Sequence, residues 1–170
     1  PKFSKIRRAL VELSFSRKVI NYIKRNDLGD LDGLIFFAPS IFFGRAVMYI
    51  KKYYSIKSYM IVRDIFPDWL VKIKQLRKGL IYYFFKYFEY INFKSADFIG
   101  TESKSDIDHV NNVLRDSNCE VEQLRNWFAK PDFVGNENRS SDLVSDSELN
   151  LIYGGSLGLA QDLYSFLQLL

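Results

Sequence analysis

The chain has 170 residues, 48% hydrophobic and 26% charged, a balance that supplies a packed core and excludes the disordered class. A single cysteine, Cys119, and a single histidine, His109, exclude an intrachain disulfide and a Cys/His zinc cluster, and fit a reducing cytoplasm. The formal net charge of +4 hides a division: residues 1–95 carry 19 Lys and Arg against 7 Asp and Glu, and residues 96–170 carry 5 against 13, so a basic half suited to an anionic partner precedes an acidic one.

Pro1 opens directly onto a basic, helix-like segment with no initiating Met, and Leu170 stops inside an apolar periodic run; the sequence reads as a piece of a longer chain. Residues 4–25 place Ile6, Leu10, Leu13, Val19, Ile20 and Ile23 at helical spacing among basic residues, which predicts a helix with a break near Ser14-Phe15-Ser16. A turn at Asn26–Asp30 leads to Leu34-Ile35-Phe36-Phe37, a short apolar run ended by Pro39-Ser40, the pattern of a strand buried on both faces. Ile41–Lys52 reads as its helix. Tyr59–Val62 is a second buried strand, closed by Arg63-Asp64-Ile65-Phe66-Pro67, and a helical region follows from Asp68 to Lys94. Asp97–Gly100 is a third strand. Ser103 to Asp106 has capping-box spacing, with Asp in place of Glu, and opens a helix to Leu114; Val121–Leu124 is a fourth strand.

Strands alternating with helices predict parallel β-α-β units and a doubly wound sheet. Residues 130–148 turn polar, as a solvated connector does. Then Leu149–Tyr153 restarts a strand, Gly154–Gly158 makes a tight loop, and Leu159–Leu170 begins a helix. The expected division is a Rossmann-like domain over 1–128, a linker over 129–148, and the start of a second Rossmann-like domain over 149–170.

Ligands of open parallel sheets bind beyond the carboxyl ends of the strands. That rule selects Ala38-Pro39-Ser40, Arg63–Pro67, Thr101-Glu102-Ser103, Asn126-Trp127 and the loop Gly154–Gly158. Each has a plainer reading beside the functional one. Pro39-Ser40 is also ordinary punctuation that stops a strand. Arg63 and Asp64 are a binding pair or a local ion pair, and Ser103 is a helix cap in either case. The glycine loop has the strand-loop-helix setting of a phosphate cradle but neither P-loop nor G-x-G-x-x-G spacing. His109, two turns into its helix, reads as a solvated surface histidine, and Cys119 as a packing residue.

In the segment Leu80–Phe93, one stripe holds Leu80, Tyr83, Phe84, Tyr87, Phe88 and Ile91, and the other side adds Ile81, Tyr82, Phe85 and Tyr90. With Lys72, Lys74, Arg77 and Lys78 ahead of it, this is either a helix buried between sheet and neighbours or a monotopic contact with an anionic membrane. Lys86 and Glu89 interrupt it, and it falls short of the roughly 20 apolar residues of a spanning helix.

Four segments carry a resemblance. Ile61-Val62-Arg63-Asp64-Ile65-Phe66-Pro67-Asp68 resembles the V-R-D-hydrophobic-P-[ED] segment of glycosyltransferase family four, in its lipopolysaccharide, capsule and colanic-acid branch. Ala96-Asp97-Phe98-Ile99 with Ser103 is similar to the family's A-D-x-I…S, and Leu124–Trp127 to its I-P-N-W interdomain motif. Leu151–Gln161 is similar to its Y-x-G-N-x-G-x-A-Q-G domain opening. The four lie in family order over more than half the chain. The resemblance implies a partial GT-B fold: an acceptor-side Rossmann-like domain, then the first strand and helix of a donor-side one. It implies a retaining enzyme, with no metal or other cofactor, that moves a sugar from a nucleotide-sugar donor to a lipid-linked or glycan acceptor in surface-polysaccharide synthesis. Such an enzyme is cytoplasmic and peripheral on the inner face of the cell membrane, and a segment of this extent is expected to be inactive alone.

Carried onto this sequence, Arg63 and Asp64 are the catalytic candidates, Ser40, Glu102 and Ser103 the acceptor-binding ones, and Gly155, Ser156 and Gly158 the donor-binding ones. Two positions depart from the pattern. Many members carry His where Arg63 stands, and the domain-opening loop, often bearing Arg and Lys, here has Gly155-Ser156 and Gln161. The competing reading is a non-catalytic α/β module that docks on anionic membrane or nucleic acid through its basic half. Nucleic acid is the weaker partner, since no RNP, KH or helix-turn-helix pattern is present.

Overall fold

Short apolar runs and longer amphipathic segments alternate along the chain, and the computed structural model, which describes residues 5–38, 40–115, 117–125, 153–155 and 161–168, folds them into α1 (Lys5–Arg25), β1 (Gly33–Phe37), α2 (Gly44–Tyr54), β2 (Lys57–Val62), α3 (Asp68–Lys72), α4 (Leu80–Lys94), β3 (Phe98–Thr101), α5 (Lys104–Leu114), β4 (Glu120–Gln123) and α6 (Leu163–Leu167). The chain divides into two compact units, Pro1–Trp127 and Phe128–Leu170. All four strands lie in the first and form one parallel sheet in the order β1-β2-β3-β4, an α/β, Rossmann-like arrangement. Leu149–Ile152 of the expected strand Leu149–Tyr153, and most of the following loop, lie outside the described residues; α6 is the described helix of the second unit.

The register explains the core. Phe36 stands opposite Met60, Met60 opposite Ile99, and Ile99 opposite Val121, so one row crosses all four strands on one face. Onto this row pack Phe93 of α4 and Val110 and Leu114 of α5. Right-handed crossovers between strands in unbroken sequential order carry every intervening helix to the same side. The helices accordingly neighbour one another in series, α1 on α2, α2 on α4 and α4 on α5.

Four expectations change. The described sheet is wound in one direction, without the order reversal that makes a double winding. For the same reason β1 is not buried on both faces: Ile35 is 73% exposed and Phe37 42%, on the face away from the helices. And α1 runs without a break at its serines, because their hydroxyls find partners that leave the helix intact. Ser14 Oγ donates to the Val11 carbonyl at 2.9 Å, while buried Ser16 donates to the Phe42 carbonyl and accepts from the Ala46 N–H. The long helix expected over 68–94 divides into α3 and α4, with Lys74 in the left-handed region (φ 58°) between them.

Two glycines mark close approaches. A Cβ on Gly44 would lie 2.7 Å from the Ile91 carbonyl oxygen of α4. On Gly100 it would meet the Tyr59 phenol and lie 2.8 Å from Leu124 Cβ, in the space Tyr59 crosses to donate to Glu122 Oε1 at 2.6 Å. At the amino ends of the strands, Asp97 accepts from the Ser58 N–H at 2.8 Å and pairs with Lys51 at 2.7 Å.

Candidate functional site

Beyond the carboxyl ends of β2 and β3 the chain opens a cavity of about 410 Å³, walled by Arg63, Asp64, Asp68, Trp69, Asp106 and His109 among others. The β2–α3 loop supplies Arg63 and Asp64 and turns through a cis Phe66–Pro67 peptide. Val62 stands opposite Thr101 in the register, so the next residues, Arg63 and Glu102, leave the sheet side by side. Arg63 Nε lies 3.2 Å from Glu102 Oε1, and its guanidinium rests 5.6 Å from the Phe37 ring centroid. The arginine is thereby fixed to its neighbours on both sides rather than to Asp64, whose carboxylate makes no ion pair among the described residues.

Ser103 serves as the cap of α5. Its hydroxyl accepts from the Asp106 N–H at 3.2 Å and lies 2.7 Å from Asp106 Oδ2, and the cap brings Ser105 and Asp106 to the cavity wall. Ser40 is half-buried elsewhere: its hydroxyl accepts from the Phe42 N–H, and its carbonyl accepts from the Asn92 side-chain amide at 3.3 Å. It is not part of the cavity wall. The structure thus brings Arg63, Asp64 and Glu102 together, uses Ser103 for the helix, and leaves Ser40 apart. Gly155 lies in the second unit at a bend, while Ser156, Gly158, Asn126 and Trp127 lie outside the described residues.

Behind the cavity is a polar network that the sequence reading missed. Glu89 of α4 is 1% exposed, and burying a lone carboxylate is costly unless partners replace its water. Lys86, one turn earlier, contacts Glu89 Oε2 and also reaches Asp68 Oδ2 at 3.2 Å. His109 Nε2 lies 3.0 Å from Glu89 Oε1 and 3.7 Å from Asp68 Oδ2. Tyr82 donates to Asp68 Oδ1 at 2.7 Å.

Burial pushes the Tyr82 phenol well above its ordinary range, and the Asp68 carboxylate adds to the shift. For Asp68 burial acts upward too, but the Tyr82 hydroxyl and the Lys86 ammonium outweigh it and hold the carboxyl below the usual range. His109 is therefore partly buried rather than a solvated surface histidine. The readable signal was the pair Lys86 and Glu89 inside an otherwise aromatic helix. Asp68, Glu89 and His109 place one donor atom each within 4.8 Å of one another. The Lys86 ammonium already sits between the two carboxylates, so a metal ion would have to displace it. Cys119 packs beside the core, and burial pushes its thiol up to about 11, which suits an unreactive packing residue.

The outer side of α4 is uncovered. Leu80, Tyr83, Phe84 and Tyr87, which share one helical face, are 92%, 65%, 44% and 54% exposed. The buried side is Tyr82, Glu89, Asn92 and Phe93. Among the described residues no helix is long and apolar enough to cross a membrane. Comparison of the chain with protein families, curated proteins and solved structures finds no match.

Proposed function

We propose that the chain is the acceptor-side part of a retaining GT-B-type glycosyltransferase, which moves a sugar from a nucleotide-sugar to a lipid-linked glycan at the inner face of the cell membrane. The observation that carries this reading is the cavity at the ends of β2 and β3, where Arg63 is held by Glu102 while Asp64 stands unpaired among the described residues. Trp69 on the same wall offers a flat apolar surface, and Asp64, Asp68, Asp106 and His109 offer the mixed donors and acceptors a polyhydroxylated acceptor needs. In the enzyme, Arg63 orients a phosphate or sugar hydroxyl, and Asp64 accepts a hydrogen bond from the acceptor hydroxyl and orients it for attack.

The uncovered face of α4 supports peripheral attachment in this reading. Its aromatic side chains enter the headgroup region, while Lys72, Lys74, Arg77 and Lys78 meet anionic lipid. The test is a transfer assay on the enzyme that carries this chain, with a panel of nucleotide-sugars and lipid-linked acceptors. Transfer that needs Arg63 and Asp64 is the expected result. Absence of transfer with every donor, or transfer indifferent to both residues, would sink the reading.

A further inference from the structure

The buried carboxylate of Glu89 faces two cationic or polar partners, and they differ in what they leave over. Lys86 takes Oε2, and His109 Nε2 takes Oε1 at 3.0 Å. A carboxylate accepts and does not donate, so Nε2 is the donor, and in the neutral ring the lone pair falls to Nδ1. Among the described residues Nδ1 has no hydrogen-bond partner, and His109 belongs to the cavity wall with Asp64 and Trp69. The same ring makes a T-shaped contact with Phe93, with centroids 6.5 Å apart, which further limits its rotation.

We infer that Glu89 and His109 form a carboxylate–imidazole dyad in which Glu89 is a positioning residue and His109 Nδ1 is the acceptor for a hydroxyl of a carbohydrate ligand in the cavity. Lys86 meets only Oε2, so the buried carboxylate still needs a donor at Oε1, and the ring supplies it through Nε2. The ring is thus held by one nitrogen, and the other is left for a ligand hydroxyl. The inference rests on the cavity being a ligand site, as proposed above, but its first measurement needs neither ligand nor turnover.

His109 is the sole histidine, so the 15N-labelled 170-residue chain gives one imidazole to observe. With the ring neutral, NMR should find the proton on Nε2 and a pyridine-type Nδ1; a proton on Nδ1 overturns the dyad. Titration with methyl glycosides of a hexose, an N-acetylhexosamine and a deoxyhexose should then move the Nδ1 signal saturably, along the same curve as the Trp69 indole N–H. No response of the imidazole to any of them overturns the ligand-facing role.

Variants separate binding from structure. His109→Gln keeps an amide that reaches Glu89 and removes the acceptor on the cavity side. Affinity read at Trp69 should fall roughly two- to tenfold, the worth of one hydrogen bond, with the melting temperature nearly unchanged; undiminished affinity counts against the proposal. Glu89→Gln, which leaves the side chain in place but frees the ring, should weaken binding and mix the tautomers. A saturable imidazole response in a protein without transferase activity would remove the transferase reading and leave the dyad standing.

Discussion

At the scale of single residues, the decisive contact is between Arg63 and Glu102, which no local pattern reveals. The sequence places Asp64 next to Arg63 and suggests a pair, yet neighbouring side chains on an extended segment diverge. The parallel register of Val62 with Thr101 selects Glu102 instead. Because Arg63 is 43% exposed on its side chain and Glu102 33%, the pair contributes only about 0–1 kcal/mol to stability. Arg63→Ala and Asp64→Asn should therefore lower turnover of the proposed transferase by roughly tenfold or more, the scale of lost orienting and charge-stabilising groups, while melting changes little. Glu102→Gln should reproduce part of the Arg63 effect, and the double variant should be no worse than Arg63→Ala. Near-normal turnover per folded molecule with a large loss of melting temperature would show the pair to be structural. Ser103, by contrast, was legible in full: a hydroxyl three positions before a carboxylate at a strand-to-helix junction makes a cap, and that is its observed use.

Among the elements, α4 shows why some of the fold was readable and some was not. Its helical period is plain, and the strands beside it follow from runs of β-branched and aromatic residues. Which side is covered cannot be read where both sides are aromatic; that depends on the winding of the sheet, which places α2 and α5 on either side of α4. The uncovered side gives a prediction. Wild-type chain should co-sediment with anionic vesicles in a salt-sensitive way, and changing Lys72, Lys74, Arg77 and Lys78 to Glu should abolish it, since each basic residue near such a surface is worth about 1 kcal/mol. Unchanged binding by that variant would remove the membrane contact. The inner side gives another. Gly44→Ala forces a methyl against the Ile91 carbonyl of α4, a backbone atom that cannot swing aside. A loss of about 1–3 kcal/mol is expected, the usual cost of overpacking, seen as a lower urea midpoint at constant slope. A midpoint equal to wild type would mean that α2 and α4 are less closely seated than their backbones indicate.

For the whole molecule, charge ties the two ends of the sheet to pH. Asp97 at the amino ends and Asp68 at the carboxyl ends both resist the upward push of burial, the first through Lys51 and the Ser58 N–H, the second through Tyr82 and Lys86. Both carboxyls sit below their ordinary range, so the folded chain binds these protons more weakly than the unfolded chain does. Their stabilisation is fully present above the unfolded value of about 3.9 and is lost as pH falls through the lower folded values. Tyr59 works with the opposite sign. Burial and the neighbouring Glu122 push its phenol up to about 12, so its contribution is present below the unfolded value of about 10 and is lost as pH rises toward the folded one. Urea unfolding followed across pH should thus give a plateau through neutrality that descends on both sides. Asp97→Asn should be less stable than wild type on the plateau and converge with it in acid, because a protonated Asp97 and an asparagine present nearly the same group to Lys51. Tyr59→Phe should leave the acid side untouched and make the alkaline descent shallower, the remainder being carried by Tyr82 and Cys119, whose groups are also pushed up. Parallel curves for Asp97→Asn and wild type, offset equally at every pH, would show that Asp97 acts through packing and not through its charge.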